Sequence, residues 1–192
     1  MANMLIIFGL VTYATKGVSF GAIDPAIPNI FIPKAGRFPM IILWAIIAVV
    51  VVWFIWNKTT FGKNLYAVGG NPEAATVSGI SVFKVTMGAF IMAGILYGFG
   101  SWLECLRMVG SGSAAYGQGW DMDAIAACVV GGVSFTGGIG KISGVVTGVL
   151  IFTSLTYSLT ILGIDTNLQF IFEGIIILAA VTLDCLKYVQ KK

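Results

Sequence analysis

The chain reads as long apolar runs broken by short polar or glycine-rich punctuation. Six runs stand out, at residues 1–15, 38–56, 84–103, 123–136, 142–162 and 168–186. A helix needs about 20 predominantly apolar residues to cross the hydrocarbon core of a bilayer. The runs at 38–56, 84–103, 142–162 and 168–186 reach that length and predict membrane-spanning helices. The run at 123–136 is shorter and opens on Asp121 and Asp123, which predicts a short or tilted crossing with a re-entrant part. Residues 1–15 are too short to cross alone and lack the basic region and cleavage site of a signal peptide, so they read as the tail of a span whose beginning is missing. The expected fold is an all-α polytopic transmembrane bundle of about five spans plus a truncated first helix. Residues 1–192 form one transmembrane domain on this reading, with no internal repeat or soluble domain.

The most informative polar interval is GGNPEAATVSGI at residues 69–80. Asn71 is a good N-cap, because its side-chain oxygen can accept an otherwise unpaired backbone N–H of the first turn. Pro72 suits the first helical position, where a missing N–H costs nothing. Glu73 sets negative charge against the positive end of the helix dipole. Ala74 and Ala75 favour helix, and Gly79 is a natural stop in the left-handed region. These residues predict a helix over 71–79 of about two turns, roughly 10–12 Å long, with a low-relief surface. The local pattern leaves two readings open: a solvated helix joining two spans, or a compact helix that docks in a partner's groove.

Composition supports the membrane. The chain is 58% hydrophobic and 10% charged, with mean hydropathy +0.96, against about 25% charged residues in a soluble domain. Its 25 glycines suit close approach of membrane helices. Histidine is absent, which removes histidine-based catalysis and histidine metal sites. Cys105, Cys128 and Cys185 are widely spaced and odd in number, as expected of buried thiols rather than a disulfide framework.

The net charge of +3 sits on loops and the C-terminus, which marks topology rather than nucleic-acid binding. Lys58, Lys63 and Lys84 flank the 71–79 helix, and Lys187, Lys191 and Lys192 follow the last run. The positive-inside rule places both regions in the cytoplasm, with Lys141 inside and Asp165 outside. Loop 16–37 then falls outside although it carries Lys16, Lys34 and Arg37; Pro25, Pro28 and Pro33 suit an irregular loop there. Trp53 and Trp56 sit where interface residues belong.

Several residues carry candidate chemistry. Gly140, Gly144 and Gly148 make successive G-x-x-x-G steps, read here as close helix packing. Gly131-Gly132 and Gly137-Gly138 could suggest a phosphate loop. Gly140-Lys141 continues with Ile142 rather than Ser or Thr, so a break in a helix pair is the better reading. Asp123 is read as a cap at a helix N-terminus, with a place near a substrate entrance as the alternative. Glu104 and Arg107 lie three apart on one helical face, as a local ion pair or a contact for an external partner. Glu173 lies inside the last run, where an ionisable group should face a partner or a wet cavity. Trp102 and Trp120 read as interface anchors rather than stacking platforms. No nucleophile–base pair or metal-ligand cluster emerges, so no catalytic residue, cofactor or metal site is expected.

Glu73-Ala74-Ala75 followed by Gly79 spells E-A-A-x-x-x-G, which resembles the cytoplasmic coupling motif of ABC-transporter permeases. NKTTFGKNLYAVGG at 57–70, GWDMDAIAACVVGGVSFTGGIG at 119–140, and GVVTGVLIF with the LGI turn in 142–186 extend the likeness. In that order, over about residues 38–192, the chain resembles the permease subunits of bacterial monosaccharide ABC importers. This is the ribose/galactose/xylose group, and the galactose/methyl-galactoside branch is nearest. The resemblance implies a multi-pass inner-membrane protein with a cytoplasmic C-terminus and no covalent chemistry. It implies three protein partners: a separate ATPase, a second permease copy and a periplasmic sugar-binding protein. Asn71, Pro72, Glu73, Ala74, Ala75 and Gly79 would meet the ATPase. Glu104, Arg107, Asp123 and Glu173 are candidates for substrate or binding-protein contact. Family permeases are longer, with several spans before the region matching Met1, so the chain looks like their C-terminal part. The alternatives are a permease of the same superfamily for ribose, xylose, a branched-chain amino acid, a nucleoside or a furanone, or a small oligomeric channel or secondary transporter.

Overall fold

The structure is a computed structural model that describes residues 2–18, 24, 26–35, 38–109, 112–113, 116–117 and 119–189. Met1, Pro25, Arg37, Lys191 and Lys192, used above, lie outside the described residues, as do the side chains of Lys34, Cys185 and Lys187. The described residues are nearly all helical. In chain order they form α1 (Ala2–Thr15), α2 (Ala26–Phe31), β1 (Lys34–Ala35), β2 (Phe38–Pro39), α3 (Ile41–Lys58) and α4 (Thr60–Gly70). There follow α5 (Pro72–Val77), α6 (Val82–Arg107), α7 (Trp120–Val130), α8 (Ile142–Ile161) and α9 (Thr166–Val189). The two strands are antiparallel, with Lys34 opposite Pro39 and Ala35 opposite Phe38.

Helices α3, α6 and α8 are long and apolar enough to cross a membrane. No described residue of α3 is buried, and large apolar side chains face outward along α6 and α8, including Phe90, Ile95 and Leu150. A helix that is apolar all round belongs in lipid. At 24 residues α9 is about 36 Å long, and its apolar stretch runs over Leu168–Ala179.

Two differences from the sequence reading matter. The segment between the runs at 38–56 and 84–103 holds a helix, α4 over Thr60–Gly70, that lies outside the six apolar runs. Thr59 caps α4, its Oγ1 accepting from the Gly62 N–H at 3.3 Å and donating to the Ile55 carbonyl at 2.6 Å. The α3–α4 corner is so tight that a Cβ on Gly62 would lie 2.7 Å from the Trp56 Cα. The run at 123–136 becomes a helix over 120–130 followed by a non-helical stretch to Lys141. At 11 residues, roughly 16 Å, α7 is about half the depth of the hydrocarbon core.

The chain clusters into two units. One comprises residues 1–48 and 90–118, and the other residues 49–89 and 119–192. In the first, Trp44 and Trp102 sit edge-on at 6.4 Å between centroids, and Phe31 and Phe99 pack on Trp102 at 5.1 and 6.1 Å. The Trp44 Nε1–H donates to the Phe31 carbonyl at 3.0 Å, satisfying the indole. In the second, Ala126 and Ala127 of α7 are buried against Phe152 of α8, with Ile177 of α9 packed alongside.

Candidate coupling site

Helix α5 is built from its caps inward. The Asn71 side-chain oxygen accepts from the N–H groups of Glu73 and Ala74 at 3.0 and 3.1 Å, and Pro72 opens the helix. At the other end the Gly79 N–H reaches the Thr76 carbonyl at 2.9 Å, and the Ile80 N–H reaches the Ala75 carbonyl at 3.0 Å. That paired closure needs a left-handed residue at its corner, and Gly79 has φ of +81°. Only Ala75 of α5 is buried; Val77 is 91% exposed, and Glu73, Ala74 and Thr76 are open. The result is a short helix capped at both ends and exposed except at Ala75. Its one charged side chain, Glu73, lies in the first turn.

Behind α5, α4 ends on Gly69 and Gly70, and these abut the glycine-rich loop between α7 and α8. Three observations define the contact. A Cβ on Gly69 would lie 2.7 Å from the Gly138 nitrogen, and one on Gly137 would overlap the Gly69 carbonyl oxygen. The Tyr66 hydroxyl donates to the Gly140 carbonyl at 2.8 Å. The loop itself turns on Gly137 and Gly138, both at positive φ, and is closed by the Ser134 N–H bonding the Ile139 carbonyl at 3.0 Å. An open cleft of about 410 Å³ lies beside this contact, bordered by Tyr66, Lys141 and Ser143. The Gly69-Gly70 doublet went unused in the sequence reading. Its signal was the pairing of two glycine doublets, but nothing local says that they meet.

The glycine steps split. Gly144 and Gly148 lie on α8 against the backbone of α7; a Cβ on Gly148 would sit 2.7 Å from the Gly131 nitrogen. Gly140 is not on that face, because α8 begins after Lys141 at its N-cap. Gly140 instead lies in the loop, against the Val133 side chain. The Gly131-Gly132 pair ends α7, with Gly132 at φ +83°.

Asp123 does not cap α7. Gly119 occupies the cap position, and Asp121 and Asp123 fall in the first turn. Asp123 instead lies beside Glu173 of α9, and Glu173 is buried at 8% exposure. The ionisable group of the last span thus lies buried beside another carboxyl.

Glu104 and Arg107 form the ion pair their spacing suggests, and the Arg107 Nε–H donates to Oε2 at 2.9 Å. The Tyr116 hydroxyl joins them, accepting from Arg107 Nη2 at 3.0 Å and donating to Glu104. That carboxylate holds the Tyr116 phenol above its ordinary pKa. Trp102 stands in the aromatic cluster described above, and Trp120 opens α7 half exposed.

The profile of the family described as "Branched-chain amino acid transport system / permease component" matches residues 1–181. The chain belongs to this family. Among curated relatives it is 55% identical to the galactose/methyl galactoside import permease protein MglC of Treponema pallidum (strain Nichols), covering 100% of this chain and 38% of that protein. It is 52% identical to the protein of the same name from Escherichia coli (strain K12), over 81% of this chain and 46% of the relative. To the L-arabinose transport system permease protein AraH of Escherichia coli (strain K12) it is 35% identical, over 100% of this chain and 57% of the relative. The chain thus spans about half the length, or less, of the MglC proteins it matches. No solved structure matches it. The family and the apolar helices make this a multi-pass helical membrane protein of permease type.

Proposed function

We propose that this chain forms part of the transmembrane permease of an ATP-driven importer for a monosaccharide, galactose or a methyl galactoside. The observation that carries the proposal is the 55% identity to a galactose/methyl galactoside permease along the whole chain. The exposed, doubly capped α5 supports it, since a partner that pushes on a helix needs one that does not fray. In this reading α5 faces the cytoplasm and receives a separate ATPase, and Lys58, Lys63 and Lys84 lie on the same side. The C-terminus is cytoplasmic too. A second permease copy completes the pathway, and a periplasmic sugar-binding protein delivers the sugar near Glu104 and Arg107. Closure of the ATPase dimer on ATP moves α5, the spans reorient, and sugar passes inward without a covalent step. Asp123 and Glu173 bring two carboxyl groups to one place, a chemistry suited to sugar hydroxyls.

Uptake of labelled galactose by cells with and without the gene tests the proposal. Loss of uptake on deletion and its return on complementation are the expected results. Galactose uptake that is indifferent to the gene overturns the sugar assignment. The family description favours one second reading, a branched-chain amino acid. Competition by leucine but not by galactose would establish that reading. Glu73→Lys should abolish sugar-stimulated ATP hydrolysis with insertion intact; normal uptake in this variant would remove α5 from the coupling role.

A further inference from the structure

We infer that the motion of α5 reaches α7 and α8 through the backbone contact of Gly69 with Gly137 and Gly138, held by the Tyr66–Gly140 hydrogen bond. This rests on the coupling reading of α5 and names the transmitting residues. By chain connection α5 joins α4 on one side and α6 on the other, and α7 and α8 come only after α6. A push on α5 therefore needs a through-space route to α7 and α8, and the glycine contact supplies one. Gly69 is three residues before Pro72, the first residue of α5, and is tied to it, because the Asn71 N–H bonds the Ala67 carbonyl at 3.1 Å while its side chain caps α5.

Three features make the contact stiff. It is backbone on backbone, so no side chain can change rotamer to absorb a displacement. The receiving loop is fixed by two left-handed glycines, at φ +89° and +69°, and closed by its own hydrogen bond. Tyr66 holds the carbonyl of the residue immediately before the α8 N-cap, so a shift of α4 acts on the start of α8. Beyond the loop, Gly144 and Gly148 seat α8 directly on the α7 backbone, so the two helices must move together. Tyr66 and Gly69 are positioning residues: they transmit motion and touch no substrate.

The test is the number of sugars imported per ATP hydrolysed, in membranes holding the assembled transporter and its binding protein. Gly69→Ala drives a methyl group into the Gly138 nitrogen and is expected to lower that ratio about tenfold or more, as core overpacking does. Gly70→Ala is the neighbouring control. Its Cβ meets nothing within 4 Å, and the ratio should stay at the unsubstituted level. Tyr66→Phe removes one hydroxyl without adding bulk and should lower the ratio about fivefold, the scale of one lost hydrogen bond. ATPase association and basal hydrolysis should be unchanged in Gly69→Ala and Tyr66→Phe, which a merely destabilised permease would not show.

Wild-type coupling in both Gly69→Ala and Tyr66→Phe overturns the inference, as does equal loss in Gly70→Ala. Should Gly69→Ala fail to insert, Tyr66→Phe decides alone. Failure of the underlying reading is distinguishable, because Glu73→Lys would then also leave coupling intact. Loss of coupling in Glu73→Lys with normal Gly69→Ala and Tyr66→Phe sinks only the transmission route.

Discussion

The chain holds its helices together by opposite means in its two units. In the unit of residues 1–48 and 90–118, four aromatic rings interlock: Phe31, Trp44, Phe99 and Trp102, at centroid distances from 5.1 to 6.4 Å. In the unit of residues 49–89 and 119–192, the tightest contacts fall where side chains are missing, at Gly131 against Gly144 and Gly148, and at Gly69 against Gly137 and Gly138. Rings supply area and tolerate small rotations, because an edge-to-face pair has a broad minimum. Glycine contacts bring backbones together and tolerate almost nothing, because an added carbon lands on main-chain atoms. An element that passes force should be of the second kind, and one that only holds should be of the first.

The sharpest way to break this contrast is Gly148→Leu. Its first added carbon would already stand 2.7 Å from the Gly131 nitrogen. We expect a loss of about 3 kcal/mol or more, the upper range of overpacking, seen as lost accumulation or early thermal exposure of the Cys128 thiol in detergent. Normal stability would mean that α7 and α8 part easily. Next comes Trp102→Ala, which empties a half-exposed aromatic site and should cost about 2 kcal/mol, less than a fully buried ring; Trp102→Phe should recover most of it, since a ring still fills the place. A glycine site offers no such rescue, and finding one would blur the distinction.

A smaller effect is expected at Asn71→Ala, which leaves the Glu73 and Ala74 N–H groups without their cap. About 1 kcal/mol of α5 stability should go, read as faster hydrogen exchange at those two amides, while Asn71→Ser retains most of it. The smallest is Tyr116→Phe. The exposed Glu104–Arg107 pair keeps its own bonds without the phenol, so stability at neutral pH should shift by less than about 0.5 kcal/mol. With Tyr116 present, its pKa is raised on folding by the Glu104 hydrogen bond. The phenol's contribution is therefore full below the ordinary phenol range and is lost as pH rises through the raised value. A stability curve for Tyr116→Phe should converge with that of the unsubstituted chain only at that alkaline end.

Helix α5 was legible from residues 71–79 almost atom by atom, because a cap and a glycine stop act within four residues of themselves. The spans at 41–58, 82–107 and 142–161 were legible for a similar reason: their apolar length is a property of each segment alone. Asp123 was misread as a cap because the same first-turn position serves a residue that caps and one that reaches another helix, here to Glu173. Gly140 was misread as helical because a glycine period continues across a helix start without a mark in the sequence.

By itself, the sequence determined that this chain lives in lipid, where its long helices run and how α5 starts and stops. Each of these follows from transfer free energy or from hydrogen bonds between near neighbours. Only the tertiary structure decided which glycines touch which, that Tyr66 reaches a carbonyl 74 residues away, that two carboxyls meet between α7 and α9, and that Trp102 belongs to an aromatic cluster. Glycine carries no side chain to announce its partner. A contact made of backbone alone is therefore set by how whole helices pack.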